Sequence, residues 1–544
     1  MTGANGYRAI TGDVYREPWT YGPREVRVVD GTSITRDRTI RADVCVIGTG
    51  AGGAPVAKEL AEGGMSVVML ESGGRFTTDD FNARPRDMTA LLYRDAGQTV
   101  TFGNVPIVLP LGEGIAGTTL VNSGTCFRTP DAILESWAER FGLSGMSADA
   151  LDPYFRRVER EIHVAQVPED LAGNNALVIK RGVERLGWAG DFIFRNASGC
   201  VGSGVCAFGC PTSAKLHMGL TYVPRAWDAG ATSYTHCRAE RLEIDGGLAR
   251  AVEAKTAGGG RLRVECEIVV VACGALMTPS FLKKNHLGAA SGELGNNLAL
   301  HPATAVRARF AEEINMARGV PQSYYVDEFC DQGIMFEGAA GPPDYAAMSF
   351  PFSREQHREL MLDYLHVAQF GLMVSDTSRG SVRALPGGGL RISYEVNDAD
   401  LHTFKRGLEL LCECYWAAGA EQVYPPVEGI GVLREGDLDT LRRHELRADE
   451  LTLMAFHPLG TARADARPAH GVVDGDLKLH KVDGVYVCDA SVLPSSLGVN
   501  PQETIMALAT RLAYSLLGRT APVDEPEPEK IARPRIGHVH EVTA

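Results

Sequence analysis

Three stretches near the end of the chain carry side chains that could move a proton beside a bound cofactor. His457 lies in the sequence Phe-His-Pro-Leu-Gly-Thr, Asp489 follows a short apolar run, and Asn500 precedes a proline. A neutral histidine has the pKa range of a general base near neutral pH, and an amide can hydrogen-bond the same substrate oxygen. A histidine between phenylalanine and proline is more often an ordinary core residue, so the role of His457 depends on what the rest of the chain binds.

The other end of the chain predicts a dinucleotide-binding site. Residues 42–47 include a short apolar run, 44–47, with three β-branched side chains, as in a buried parallel strand. Gly48, Gly50 and Gly53 follow with the G-x-G-x-x-G spacing, which lets pyrophosphate approach the backbone at a helix N-terminus. A helix and a second strand come next, and this strand ends at Glu71, about 20 residues further on. A carboxylate there accepts hydrogen bonds from an adenosine ribose, which favours FAD or NAD over NADP.

Composition and charge exclude several classes of protein. The 544 residues exceed one typical domain, and the 44% hydrophobic and 22% charged content is that of a globular chain. With 54 basic and 68 acidic side chains the net charge is −14, which argues against a nucleic-acid partner because phosphate binding needs a concentrated basic face. The sequence shows no leader pattern and no apolar run of 18 residues. We therefore expect a cytoplasmic protein without a transmembrane segment, with peripheral membrane association left open.

A glycine- and threonine-rich stretch at 117–122, Gly-Thr-Thr-Leu-Val-Asn, fits a backbone pressed against a flat ligand. Alone it would be a plain turn. Together with the glycine fingerprint, the sequence Gly-Ala-Leu-Met-Thr-Pro at 274–279 and the His457 and Asn500 segments, it resembles the glucose-methanol-choline (GMC) oxidoreductase family along nearly the whole chain. The stretches most similar to the long-chain alcohol oxidase branch are 121–130, 297–302 and 417–420. One departure is Gly-Thr-Thr where most members have Gly-Ser-Ser.

The resemblance implies FAD as the cofactor and oxidation of an alcohol CH–OH group to an aldehyde or ketone by hydride transfer to flavin N5. His457 would be the base and Asn500 would bind the substrate oxygen, so replacing His457 by alanine should slow flavin reduction about 10²- to 10⁴-fold. Oxygen, an electron-acceptor protein or a quinone would then take the electrons. The cofactor-binding residues implied by the family motifs are Gly48, Gly50, Gly53, Glu71, Gly117, Thr119, Asn122, Asp489, Ala490 and Pro501.

The predicted fold class is α/β, α+β overall. A Rossmann-like FAD-binding domain with a parallel central sheet would come from residues 41–130, 215–300 and 471–520. A substrate-binding domain with a mostly antiparallel sheet and flanking helices would come from 131–214 and 301–470, between an N-terminal arm at 1–40 and a tail at 521–544. Periodicity further predicts helices over 215–229 and 398–418, and a strand over 264–271 that rejoins the sheet of the first strand.

Three cysteines lie in the glycine-rich loop 200–210, at Cys200, Cys206 and Cys210. Their thiolates could hold an iron-sulfur cluster, and the spacing resembles the cluster segment of bacterial FAD-dependent glucose dehydrogenases, although Val201 stands where those enzymes have another cysteine. A [3Fe-4S] cluster, or a [4Fe-4S] cluster with an outside ligand, would fit. The alternative is a packed turn with reduced thiols, as in long-chain alcohol oxidases.

Several functions stay open. A fatty, sterol or sugar alcohol could be the substrate of an oxidase or dehydrogenase. A sugar dehydrogenase could instead pass electrons through the cluster to a protein or quinone. A flavin lyase similar to photodecarboxylases, or a non-catalytic flavin electron-transfer protein, would lie outside alcohol chemistry. His301 also precedes a proline and is expected to support the site or the fold, while His217 and His480 are expected to be ordinary residues.

Overall fold

The computed structural model describes residues 25–350, 354–386 and 388–522. The strands in these residues are β1 Val28–Asp30, β2 Arg38–Arg41, β3 Val44–Ile47, β4 Val67–Leu70, β5 Ile107–Val108, β6 Val164–Gln166, β7 Gly190–Phe192, β8 Phe194–Asn196, β9 Thr232–Thr235, β10 Cys237–Asp245, β11 Leu248–Thr256, β12 Arg261–Glu265, β13 Ile268–Val271, β14 Ala303–Arg309, β15 Tyr324–Val326, β16 Ile334–Gly338, β17 Val367–Val374, β18 Ser381–Ala384, β19 Leu390–Ser393, β20 Gln422–Tyr424, β21 Leu453–Met454 and β22 Val485–Val487. The helices are α1 Gly53–Glu62, α2 Pro85–Leu92, α3 Asp131–Phe141, α4 Ala148–Glu161, α5 Glu169–Ala172, α6 Asn174–Leu186, α7 Tyr222–Asp228, α8 Thr278–Lys284, α9 Pro343–Ser349, α10 Arg354–Leu362, α11 Asp398–Ala418, α12 Leu438–Arg443 and α13 Gln502–Leu516.

A six-stranded parallel sheet in the order β1-β9-β4-β3-β13-β22 carries the glycine fingerprint. Its central strands β3 and β4 are fully buried, as parallel strands covered on both faces must be. The crossover helix α1 packs between them and α13. Because carboxyl ends of parallel strands meet at one edge, the loops after β3, β4, β13 and β22 converge. The Rossmann-like parallel sheet is confirmed.

A second sheet has the order β5-β21-β14-β17-β16-β15-β7, with β20 also paired to β14, and its strand β5 comes from the segment 41–130 predicted for the first domain. Its pairs are antiparallel except for β21 with β5. Helices α6 and α11 pack on each other and against β17. This is the predicted, mostly antiparallel sheet with flanking helices, and β16 is one of its inner strands.

The predicted helices and strands agree with the structure where short-range signals set their bounds, and differ from it where pairing with distant strands decides. Helix α11 has the predicted bounds because Asn397 caps its start, accepting from the Asp400 amide, and Gly419 ends it in a left-handed conformation. The strand predicted over 264–271 is divided in two, because β12 pairs antiparallel with β11, while β13 rejoins the sheet of the first strand as predicted. The helix predicted over 215–229 forms only as α7.

The predicted N-terminal arm is partly folded. β1 pairs in parallel with β9, and β2 pairs in parallel with β12. Residues 1–24, and all but the first two residues of the predicted tail 521–544, lie outside the described residues. Among the helices that are described, none is both long and apolar enough to cross a membrane.

Candidate functional site

A cavity of about 1600 Å³ lies where the two sheets meet. Such a volume exceeds the roughly 300–1,000 Å³ of common small-molecule sites. Its wall includes Gly50 and Glu71, which follow the parallel strands, and also Glu337, His457 and Asn500. The cavity can therefore hold a large extended ligand together with a small molecule.

The three fingerprint glycines have different structural roles. Gly48 has φ +101°, and a Cβ there would lie 2.3 Å from the Ala272 carbonyl oxygen. A Cβ on Gly53 would lie 2.0 Å from the Gly48 carbonyl oxygen, so this glycine lets helix α1 pack on β3. A Cβ on Gly50 would have its nearest neighbours at 3.8 Å, and Gly50 lines the cavity. The protein's own packing leaves the Gly50 backbone open, which fits the approach of a pyrophosphate.

Glu71 directly follows β4 and lines the cavity at the position where a ribose acceptor is expected. Its carboxylate accepts hydrogen bonds from the Thr49 amide at 3.2 Å, the Thr49 hydroxyl at 2.7 Å and the Gly73 amide at 3.0 Å. Burial raises the pKa of this carboxyl. These three donors hold the side chain in place, and a carboxylate has further lone pairs for a ligand.

Asp489 connects the loops that follow β13 and β22. Its Oδ2 accepts from the Gly274 amide at 2.9 Å and the Thr278 hydroxyl at 2.5 Å, and its Oδ1 accepts from the Ser491 amide at 2.8 Å. Burial raises its pKa. Asp489 and the neighbouring Ala490 line the cavity, so this carboxyl positions the two loops around the ligand site.

Thr119 and Asn122, predicted to contact the cofactor, both have hydrogen-bond partners within the protein. The Thr119 hydroxyl donates to the Ala116 carbonyl at 2.7 Å and accepts from the Met218 amide at 3.2 Å. The Asn122 amide donates to Gln502 Oε1 at 2.7 Å. Their side chains hold the loop in shape, and the loop lines the cavity together with Gly117 and Pro501.

His457 borders the cavity with each ring nitrogen beside a polar partner. Its Nδ1 lies 3.2 Å from Nδ1 of His301, and its Nε2 lies 3.3 Å from Nδ2 of Asn500. Burial lowers the pKa of His457 well below its usual range and that of His301 to about 3. Both imidazoles are therefore neutral near pH 7.

His301 is fully buried and contacts the predicted catalytic histidine directly. It has φ +48°, a left-handed conformation that a side-chain-bearing residue adopts at a cost. The Asp376 carboxylate accepts from the amides of Leu300 at 2.9 Å and His301 at 3.3 Å and so holds this backbone. The sequence alone does not reveal this contact, because His301 and His457 are far apart in the chain.

Glu337 was not predicted from the sequence. It lies on β16, is 5% exposed and lines the cavity. Its Oε2 accepts from the amides of Gln322 and, at 3.4 Å, Asn500, while Oε1 has no hydrogen-bond partner among the described residues. Burial raises its pKa to about 7. An acid within the apolar sequence Ile-Met-Phe-Glu-Gly is the signal that could have identified it.

The raised pKa of Glu337 predicts a pH-dependent effect on stability. Between its ordinary value of 4.5 and about 7, the folded protein holds a proton that the unfolded chain releases, so stability falls as pH rises. Glu337→Gln removes this penalty. We expect the variant to exceed the wild type by about 1–3 kcal/mol in unfolding free energy at pH 8, with the advantage disappearing near pH 4.5. Urea unfolding of both FAD-loaded proteins at the two pH values checks this, and a pH-independent difference would contradict it.

The cysteine loop packs around the buried side chains of Arg195 and Lys215. Cys206 Sγ accepts from Arg195 at 3.2 Å, Cys210 Sγ pairs with the Thr212 hydroxyl at 3.5 Å, and Lys215 donates to the Cys206 carbonyl at 3.1 Å. Cys200 is a free thiol whose pKa is raised by burial. Within the described part of the chain, no three Cys, His, Asp or Glu side chains are grouped to hold a metal ion. This arrangement supports the alternative of structural thiols.

The fold and this cavity define a flavoprotein oxidoreductase. Family models for the N- and C-terminal regions of the GMC oxidoreductase match residues 89–303 and 376–509. The chain belongs to the GMC oxidoreductase family, as the motifs predicted.

Relatives and solved structures agree with this assignment. An uncharacterised GMC-type oxidoreductase of Mycobacterium tuberculosis is 39% identical over 91% of this chain and 78% of its own length. A long-chain-alcohol oxidase of Arabidopsis thaliana is 27% identical over 88% of this chain and 68% of its own. The crystal structure of pyridoxine 4-oxidase from Mesorbium loti superposes with a TM-score of 0.68 at 20% identity, covering 88% of this chain and 99% of that one. At 20% identity, the similarity to pyridoxine 4-oxidase is a similarity of fold.

Proposed function

We propose that this protein oxidises the CH–OH group of a small-molecule alcohol to an aldehyde or ketone, with FAD as the hydride acceptor. The observation that carries the proposal is the cluster of His457, Asn500 and Glu337 in the wall of the same cavity that the open fingerprint backbone lines. Polar groups gathered beside a proposed flavin site suit the binding of a hydroxyl oxygen and removal of its proton.

The residues of the cavity fit FAD. The open backbone at Gly50 would face the pyrophosphate and Glu71 the ribose, while Asp489 holds the loops around the ligand. When bound, FAD supplies the ring that accepts the hydride. The chain itself positions the alcohol, keeps the site enclosed, and takes up the hydroxyl proton.

His457 and Asn500 are the proposed contacts of the hydroxyl oxygen. Their nitrogens lie 3.3 Å apart, close enough to reach one oxygen together. The relatives include a long-chain-alcohol oxidase, which supports alcohol chemistry. Oxygen or another acceptor would receive the electrons afterwards. The arrangement of the cysteine loop offers no support for a cluster-linked sugar dehydrogenase, and the polar cluster favours alcohol oxidation over a flavin lyase or a non-catalytic electron carrier.

An anaerobic titration tests this proposal. The FAD-loaded protein is mixed with primary, secondary, long-chain and sugar alcohols while the absorbance of the oxidised flavin is followed. We expect at least one class to bleach the flavin, with formation of an equal amount of carbonyl product. Admitting oxygen then separates an oxidase, whose flavin is rapidly reoxidised, from a dehydrogenase. Bleaching by dithionite but by none of these alcohols would contradict the proposal.

A further inference from the structure

We infer that two buried cations, Lys215 and Arg195, are positioning residues for the hydride transfer: they fix a loop of the cavity wall and place two positive charges behind it, which favours the reduced state of the cofactor. The inference rests on the proposed transfer of a hydride to FAD. It gives a role to the segment that connects the cysteine loop to the cavity wall.

Lys215 joins the cavity wall to the cysteine loop. Its ammonium group donates to the carbonyl oxygens of Leu120 at 2.9 Å, Asn122 at 2.6 Å and Cys206 at 3.1 Å. An ammonium group has three N–H donors, so these three carbonyls use all of them. The side chain is 1% exposed. Lys215 therefore keeps its charge directly behind the backbone of residues 120–122.

Arg195, on β8, makes a second link between the same two loops. Its Nε donates to the Ser123 carbonyl at 2.8 Å, and a terminal nitrogen donates to Cys206 Sγ at 3.2 Å. This side chain is also buried. Asn122 and Ser123 both line the cavity, so each of the two cations holds the backbone of a residue in the cavity wall.

No acidic side chain of the described residues neutralises these two cations. Their hydrogen bonds go to carbonyl oxygens and a thiol. Their ionisable neighbours are each other and the thiols of Cys200, Cys206 and Cys210. Burial removes the hydration of a cation, and this costs free energy unless negative charge lies nearby.

Lys58 shows the contrasting arrangement on helix α1. It is as deeply buried as Lys215, but its ammonium group lies within 3.5 Å of the carboxylates of Glu59, Glu62 and Glu161. Its charge is therefore balanced inside the protein. For the two cations behind the cavity wall, the balancing charge can come from the cavity itself.

The proposed reaction supplies this negative charge. The hydroxyl proton of the alcohol passes to the base on the chain, and the carbinol C–H bond breaks with its electron pair going to FAD, which is the oxidant. A hydride thus brings one negative charge to the cofactor, for which Asn122 is a predicted contact. Positive charges already fixed in a wall of low dielectric constant stabilise a charge that develops beside them. Lys215 and Arg195 should therefore raise the reduction potential of bound FAD.

Two pairs of variants separate charge from hydrogen bonding. Lys215→Met removes the charge and the donors, while Lys215→Gln removes the charge but keeps an amide donor. Arg195→Gln removes the charge, while Arg195→Lys keeps the charge with fewer donors. The reduction potential of FAD in each purified FAD-loaded protein is measured anaerobically, by gradual reduction with dithionite against a dye of known potential. This measurement needs no alcohol.

We expect the reduction potential to follow the charge. Lys215→Met, Lys215→Gln and Arg195→Gln should each shift the equilibrium toward oxidised flavin about tenfold, the effect of one unit charge acting across about 10 Å of protein. For a two-electron couple, a tenfold shift is about 30 mV. Arg195→Lys should remain within about threefold of the wild type, because the charge is kept. With an alcohol that reduces the flavin, the three variants that lose a charge should also be reduced more slowly.

An unchanged reduction potential in Lys215→Gln and Arg195→Gln overturns the inference. The two side chains would then only hold the loop, and the charge would be balanced within the cysteine loop. If the Lys215 variants do not retain FAD, the Arg195 pair decides, because these two variants differ in charge at one position. Failure of every alcohol to reduce the wild-type flavin would contradict the proposed function but leave the measured potentials as they are, so the two failures are distinct.

Discussion

Replacing His457 by alanine is expected to slow flavin reduction by the true alcohol substrate about 10²- to 10³-fold while FAD stays bound. The substrate oxygen loses one of its two proposed contacts together with the proposed acceptor of its proton, and general-base catalysis contributes effects of this size. FAD retention is expected because His457 contacts His301 and Asn500, and neither belongs to the glycine fingerprint. Stopped-flow absorbance gives the rate, and the flavin-to-protein ratio gives the loading.

A matched control comes from the same residue type on the surface. His402 is exposed on α11, so His402→Ala should reduce its flavin at the wild-type rate. A His457→Ala enzyme that is reduced as fast as this control would remove His457 from the catalytic site. Loss of flavin from His457→Ala would instead show that the side chain is needed for the cofactor cavity itself.

Replacing Gly50 by valine is expected to weaken FAD binding about 10- to 100-fold with little effect on folding. A Cβ at this position has no atom within 3.4 Å, so the chain can accommodate it. The added side chain would instead occupy the space through which the pyrophosphate reaches the backbone, and a lost hydrogen bond to a charged group costs about 1.5–3 kcal/mol. Titration of the apo-protein with FAD, followed by fluorescence, measures the change.

Gly53 provides the contrasting control for Gly50. A Cβ on Gly53 would lie 2.0 Å from the Gly48 carbonyl oxygen, a backbone atom that cannot move aside cheaply. Gly53→Ala should therefore lower the unfolding midpoint, whereas Gly50→Val should keep it. Full FAD affinity in folded Gly50→Val would show that the cofactor does not pass this glycine.

Features built from neighbouring residues were predictable. The strand, glycine turn, helix and second strand that end at Glu71 follow from short-range periodicity and turn chemistry, and they appear as β3, α1 and β4. Helix α11 was predicted to the residue because its cap and its terminal glycine adjoin it in sequence. In each case the determining contacts lie within a few residues.

Features that depend on distant partners were not predictable. Residues 264–271 have the composition of one strand, but their partners β11 and β3 belong to different sheets. Lys215 has a helical neighbourhood in sequence, yet its ammonium group donates to the carbonyls of Leu120, Asn122 and Cys206. A buried cation held by remote carbonyls cannot be recognised from local periodicity.

The sequence by itself determined the cofactor class, the family and the two residues expected to contact the substrate oxygen, because each depends on residue type and spacing in a motif. Only the tertiary structure brought Glu337 beside Asn500 and His301 beside His457. These residues come from four separate parts of the chain, and the packing of the two sheets places them together.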